Sequence, residues 1–148
     1  MATINKEITI NAPLEKIFTY VSRPSNLPEI WPSLMQIKNE ILLPNGGYGF
    51  QWEYEMAGAY LKGTGEYTDI TPNLWFTAKI EGEIECTITW TFRSKESQTR
   101  VTFAIEYKKP LPILHQLSKK IVQEMNEQEA DFIMANLQAK FVLIDVES

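Results

Sequence analysis

The sequence predicts an α+β fold, in which a curved seven-stranded antiparallel sheet wraps around a long C-terminal helix and one or two short helices follow the first strand (β-α-α-β6-α). Segments of alternating apolar and polar residues recur between turn signals, as in antiparallel strands with one buried face. One segment contains Gly63 and Gly65, where a strand can bend strongly. From Ile113 to about Leu143, no glycine or proline interrupts a long helix.

The chain begins with a predicted strand and a predicted helix. In ATINKEITINA, the residues Ile4, Ile8 and Ile10 share one face, and only Lys6 interrupts that apolar row. Pro13 suits the first position of the helix that follows. The apolar face of this helix is predicted from the spacing of Leu14, Ile17, Phe18 and Val21.

A proline-rich connector, SRPSNLPEIWPS, follows the first helix. Its three prolines restrict the backbone and give the segment a tight path of low conformational entropy. Trp31 is the largest residue of the connector. Two roles are open for it: an anchor that holds the connector on the core, or a wall of a ligand entrance.

Six further strands are predicted between the connector and the last helix. Their segments are LMQIKNEILL, YGFQWEYEM, AYLKGTGEYTDI, WFTAKIE, EIECTITWTFR and TRVTFAIEY. The turn signals between them are short, so each strand is expected to pair with the next as a hairpin. One face of the resulting sheet is apolar, and the terminal helix is the element long enough to cover it.

Composition excludes several classes of partner. The net charge is −5 and the sequence pI is near 5.0, so no basic surface for nucleic acid is expected. Mean hydropathy is −0.22, and no apolar run is long enough for an integral membrane association. The single cysteine and the absence of a secretory leader favour a cytoplasmic location.

The segments INAPLEKIFTYVS, SNLPEIWPSL, LKGTGEYTDI and the terminal NLQAKF resemble the START-like helix-grip superfamily, also called SRPBCC or Bet v 1-like. Within it they are most similar to the polyketide cyclase/dehydrase and lipid-transport group. The resemblance covers nearly the whole chain, so we expect a single domain over residues 1–148. It implies that an apolar molecule is bound between the sheet and the long helix. No cofactor is expected, because the motifs that mark cofactor sites are absent from the sequence.

The candidate ligand-binding residues are Trp31, the large inward side chains of the strands, and a stripe along the last helix. They are Trp31, Phe50, Trp52, Tyr54, Tyr67, Phe76, Cys86, Ile88, Trp90, Phe103, Ile121, Met125, Gln128 and Phe132. Gln128 is the polar interruption of a stripe that also includes Leu114 and Leu117. Ordinary core packing is the alternative for every apolar member, because cavities and cores of this fold use the same inward row.

Three further polar residues, Lys6, Glu124 and His115, are weighed as site candidates. Lys6 either faces the cavity or reaches outward, and Glu124 either faces the cavity with Gln128 or lies in solvent. His115 is the only histidine, and no motif places a partner beside it. Motifs for metals, nucleotides or nucleophilic catalysis are absent, so we predict no catalytic and no metal-binding residue.

Three functions remain open from the sequence. The first is binding of a hydrophobic or amphipathic small molecule, such as a lipid, polyketide or quinone, in the cavity. The second is a polyketide cyclase/dehydrase-type enzyme that uses the same cavity. The third is a module that binds or regulates a protein partner, since similar folds also serve in that way.

Overall fold

A computed structural model describes residues 3–108 and 119–147, with side chains for all of these except Lys119 and residues 142–147. The elements are β1 (Thr3–Ile10), α1 (Leu14–Val21), a 3-10 helix (Pro24–Glu29), β2 (Leu34–Leu42), β3 (Tyr48–Met56), β4 (Ala59–Thr71), β5 (Trp75–Gly82), β6 (Cys86–Lys95), β7 (Gln98–Tyr107) and α2 (Lys119–Glu147). The predicted order β-α-α-β6-α is confirmed, with the 3-10 helix as the second helix. The predicted helix start at Ile113, with Leu114 and Leu117, lies outside the described residues.

The seven strands form one antiparallel sheet in the order β1-β7-β6-β5-β4-β3-β2. Strands β2 to β7 are joined as consecutive hairpins, and β1 pairs with β7, from Thr3 opposite Glu106 to Ile10 opposite Thr99. The first strand therefore lies beside the last, and only β1 and β2 are edges. This arrangement brings the N-terminal segment next to the strand that precedes the long helix.

The glycines of β4 allow two aromatic rings of β3 to lie across the sheet. A Cβ atom on Gly63 would lie 2.5 Å from the Trp52 ring and 2.1 Å from the carbonyl oxygen of Glu81. A Cβ atom on Gly65 would lie 2.5 Å from the Phe50 ring. Because real Cβ atoms do not approach other atoms so closely, only glycine permits this curvature, as the sequence predicts.

Helix α1 and the connector cover one part of the concave face. Phe18 packs edge-to-face on Phe76 and Phe92, with ring centroids 6.0 and 5.2 Å apart. The Tyr67 hydroxyl donates a hydrogen bond of 2.8 Å to the backbone oxygen of Ser22, where the connector starts. These contacts fix the connector over the middle strands of the sheet.

Helix α2 buries a different face from the predicted stripe. Its buried residues are Asn126, Glu129, Ala130, Ile133, Met134, Leu137 and Phe141. Ile121 is 44% exposed and Phe132 is 51% exposed, so the predicted apolar stripe is wrong at these two positions. The predicted face was chosen from the spacing of apolar side chains, whereas the buried face includes the polar residues Asn126 and Glu129.

Lys6 occupies the middle of β1 and points toward α2. Its ammonium group lies 2.7 Å from Glu127 Oε2 and 3.1 Å from Asp131 Oδ1. Hydrogen bonds to Glu127 and then to Asp131 raise the Lys6 pKa. The charge in the apolar row of β1 is thus explained by an ion pair that ties the edge strand to the helix, and Lys6 does not line the cavity described below.

Candidate functional site

An apolar cavity lies on the concave side of the sheet, beneath the connector. Its volume is about 70 Å³, which is room for several water molecules. The residues that line it are Leu27, Trp31, Leu34, Ile37, Phe50, Trp52, Tyr54, Tyr67, Phe76, Ala78, Ile80, Ile84, Cys86, Ile88, Trp90, Ile105 and Tyr107. They come from the connector, from β2 to β7 and, for Ile84, from the turn between β5 and β6.

Nine of the predicted site residues meet at this cavity: Trp31, Phe50, Trp52, Tyr54, Tyr67, Phe76, Cys86, Ile88 and Trp90. Phe103 lies behind them, with its ring centroid 5.6 Å from Trp31 and 4.6 Å from Trp90. Met125 packs against the core without lining the cavity. Ile121, Gln128 and Phe132 are exposed on α2 and do not line it either.

The sequence analysis did not select several lining residues. Ala78, Ile80 and Ile105 share the inward alternation of their strands, and Ile84 continues that of β6 two residues before its start, so the same pattern could have found them. The connector contributes Leu27, and β2 contributes Leu34 and Ile37, whose spacing of three departs from strand alternation because the register shifts between Leu34 and Gln36. The described residues of α2 contribute none of the lining, and the described residues that do line the cavity leave it partly open.

The aromatic rings of the wall also pack on one another. Tyr67 stacks on Phe76 with centroids 4.7 Å apart, and Phe76 stacks on Trp90 at 6.5 Å. The polar atoms of Tyr67 and Trp52 are occupied by backbone oxygens, since Tyr67 donates to Ser22 and Trp52 Nε1 donates to Thr64 at 2.8 Å. These residues therefore present apolar surface to the cavity and are core residues at the same time.

A buried carboxylate lies directly behind the wall. Glu129 of α2 is 8% exposed, and it accepts hydrogen bonds from Trp31 Nε1 at 3.0 Å, from the Tyr54 hydroxyl and from Ser33 Oγ. We call these four residues the Glu129 cluster. Burial, followed by the charge of Glu129, raises the Tyr54 pKa, so Tyr54 remains a protonated donor. Trp31 is therefore both the anchor of the connector and part of the cavity wall.

Two donors in the wall have no such partner. Among the hydrogen bonds of residues 3–108 and 120–141, none involves the Tyr107 hydroxyl or the Trp90 indole N–H. Burial, followed by the neighbouring Cys86 and Glu129, raises the Tyr107 pKa, so its hydroxyl keeps its proton. We call Trp90 and Tyr107 the open donors.

The other chemical candidates do not converge on the cavity. Burial raises the pKa of the Cys86 thiol to about 12, so the thiol is protonated and a poor nucleophile near neutral pH. Glu124 and Gln128 are exposed, and His115 lies outside the described residues. In the part of the chain that the structure describes, no group of His, Cys, Asp or Glu side chains is arranged to hold a metal ion.

None of the described helices is both long and apolar enough to cross a membrane.

Comparisons with known proteins agree with the fold. Residues 1–142 match the family described as "Polyketide cyclase / dehydrase and lipid transport". No curated protein sequence is similar enough to count as a relative.

Solved structures share the architecture at low sequence identity. TTHA0849 from Thermus thermophilus is 20% identical with a TM-score of 0.73, over 97% of this chain and 99% of that one. A START superfamily protein from Mycobacterium smegmatis is 12% identical with a TM-score of 0.79, over 96% and 98%. The Zhui aromatase/cyclase from Streptomyces sp. R1128 is 12% identical with a TM-score of 0.71, over 94% and 92%. At these identities the likeness shows the fold alone.

Proposed function

Because the chain belongs to the polyketide cyclase / dehydrase and lipid transport family, we propose that it binds a hydrophobic or amphipathic small molecule, such as a lipid, polyketide or quinone. The observation that supports this proposal is the cavity, whose wall is almost entirely apolar side chain. Burial of ligand surface supplies the binding energy, at about 25 cal/mol per Å² of apolar area before the cost of ordering the ligand.

The proposed contacts are the nine sequence-predicted residues that line the cavity, together with the inward residues beside them. Ala78 is the smallest lining side chain, and it lies opposite Ile88 in the sheet. A larger side chain at this position would extend into the space that we assign to the ligand. This makes Ala78 the most direct place to block binding.

Ala78→Leu and Ala104→Leu form a matched pair of variants. Ala104 lies on the opposite face of β7 from Phe103 and Ile105, so its substitution adds the same atoms outside the cavity. Native mass spectrometry of freshly purified protein should show a co-purified small molecule in the wild type and in Ala104→Leu, and a loss of it in Ala78→Leu. A bound molecule that persists in a folded Ala78→Leu variant would contradict the proposed site.

An enzyme of the cyclase/dehydrase type is the second candidate. It is favoured by the two tyrosines of the wall, Tyr54 and Tyr107, and by the Glu129 carboxylate that Tyr54 contacts. Such groups can donate or accept a proton beside a bound poly-β-ketone. Product analysis after incubation with a short poly-β-ketone would test this function: a cyclised product that is lost in Tyr107→Phe supports it, and an unchanged substrate argues for binding alone.

The third function, a protein-partner module, is tested by the same purification. Stable co-purification of another protein without any small molecule would favour it over ligand binding. We also propose a cytoplasmic location, because the single cysteine, Cys86, is buried in the wall and has no second cysteine to pair with.

A further inference from the structure

We propose that the ligand is an uncharged apolar molecule that carries a hydrogen-bond acceptor, such as a ketone or quinone oxygen, and that the cavity rejects carboxylates. Tyr107 donates to this acceptor, and Trp90, four residue pairs further along the sheet, is the second available donor. The inference rests on the proposed ligand-binding function and defines the chemical class of the ligand.

The first argument is the absence of positive charge in the wall. None of the lining residues in the described part of the chain is a lysine, arginine or histidine. The ammonium group of Lys6 is paired with Glu127 and Asp131, and Lys6 does not line the cavity. A carboxylate that entered the cavity would lose its hydration without gaining a counter-charge, which is strongly unfavourable.

The second argument is the buried carboxylate of Glu129. It lies one hydrogen bond behind Trp31 and Tyr54, both of which line the cavity. Three donors to one carboxyl group suit its ionised form, because that form has only acceptor sites. Among the described residues Glu129 forms no salt bridge, so its negative charge adds repulsion to the desolvation cost of an anionic ligand.

The third argument is the type of hydrogen-bonding group that the wall leaves unused. The donors of Trp31, Trp52, Tyr54 and Tyr67 each have a protein acceptor. The open donors, Trp90 and Tyr107, have none in residues 3–108 or 120–141. An unused donor in an apolar wall is satisfied by a ligand acceptor, and a carbonyl oxygen supplies one without charge.

Three compounds that share one ring system separate these contributions: naphthalene, 2-acetylnaphthalene and 2-naphthoate. Calorimetric titration of the wild type at pH 7.5 should give the highest affinity for the ketone, about five- to tenfold lower affinity for the hydrocarbon, and the lowest affinity for the carboxylate. Naphthoate binding as tight as ketone binding would overturn the inference while leaving ligand binding intact. A wild type that binds none of the three compounds would overturn both the inference and the proposed function.

Two variants test which residue causes the preference for the ketone and which causes the rejection of the carboxylate. Tyr107→Phe should remove most of the ketone's advantage over naphthalene and leave naphthalene affinity within about twofold. Glu129→Gln keeps the shape of the side chain and an acceptor oxygen, so the fold is retained, and it should raise naphthoate affinity severalfold with little change for the ketone. An unchanged ketone advantage in Tyr107→Phe and in Trp90→Phe would contradict the assigned donors, and unchanged naphthoate affinity in Glu129→Gln would contradict the assigned charge.

Discussion

The Glu129 cluster and the open donors are two sets of polar groups in and directly behind one cavity wall, and they differ in whether the described residues satisfy them. Trp31, Ser33 and Tyr54 all donate to Glu129. Trp90 and Tyr107 have no acceptor among the residues that the structure describes. A satisfied buried network holds the fold together, whereas an unsatisfied donor in a cavity is available to a ligand. Substitutions in the two sets should therefore affect different measurements.

The largest expected effect is that of Trp31→Ala. The variant removes a ring that packs on Phe103 and the N–H that Glu129 accepts. We expect a loss of about 4 kcal/mol in the free energy of unfolding, measured by urea titration. Because Trp31 also lines the cavity, ligand retention should fall as well; a loss of ligand without any loss of stability would contradict its role as an anchor.

Glu129→Ala should cost about 3 kcal/mol, because it leaves three donors without an acceptor. Glu127→Ala is the matched control on the same helix. Glu127 contacts Lys6 in a partly exposed ion pair, so its loss should cost less than about 1 kcal/mol. Equal stability of the two variants in urea would mean that the Glu129 cluster does not hold the connector to α2.

The thiol of Cys86 makes part of the stability pH-dependent. Its pKa is about 12 in the folded protein, above the ordinary value of 9.0, so the unfolded chain loses this proton first as the pH rises. The contribution is fully present below about pH 9 and is lost between about pH 9 and 12, at up to ~1.4 kcal/mol per pH unit.

Cys86→Ala should therefore flatten the decline of unfolding free energy over this range, compared with the wild type. Three buried tyrosines, Tyr54, Tyr67 and Tyr107, also have raised pKa values and titrate above pH 10 in the unfolded chain. The comparison is cleanest below about pH 10, where the thiol dominates. Identical slopes for the two proteins in that interval would contradict the buried position of the thiol.

The smallest expected effect is at Asn126, which lies one turn before Glu129 on the same helix. Its Oδ1 atom is buried and has no hydrogen-bond partner among the described residues. Asn126→Leu should raise the free energy of unfolding by about 1 kcal/mol. Asn136→Leu serves as the control and should lower it by about 1 kcal/mol, because Asn136 Nδ2 donates to the backbone oxygen of Ile30 at 3.1 Å. Destabilisation by both variants would show that Asn126 is satisfied in solution.

The strands and their inward faces could be predicted from the sequence because alternation is a local property. The row Ile84, Cys86, Ile88, Trp90 and Phe92 is buried as its period requires. The glycines of β4 also predicted the bend of this strand correctly, because the bend leaves no room for a side chain at Gly63 or Gly65. Local patterns of this kind position most of the cavity wall.

The buried face of α2 could not be predicted in this way. The position of Glu129 depends on partners that are 75 to 98 residues away in sequence, so no local pattern marks it as buried. The sequence analysis placed Phe132 on the buried face because it is apolar, whereas its side chain is exposed. Glu129 is buried because distant donors meet its carboxylate, and such pairings are properties of the fold.

Tyr54→Phe and Tyr107→Phe test the central claim most directly, since each removes one oxygen atom from the same cavity wall. The free energy of unfolding and the affinity for 2-acetylnaphthalene are measured for both variants. Tyr54→Phe should lose about 1 to 2 kcal/mol of stability, because Glu129 loses a donor, and should lose less affinity than Tyr107→Phe. Tyr107→Phe should remain within about 0.5 kcal/mol of the wild type and lose about five- to tenfold in affinity. The reverse pattern, with Tyr107→Phe unstable and Tyr54→Phe deficient in binding, would contradict the division of the wall into a structural cluster and open donors.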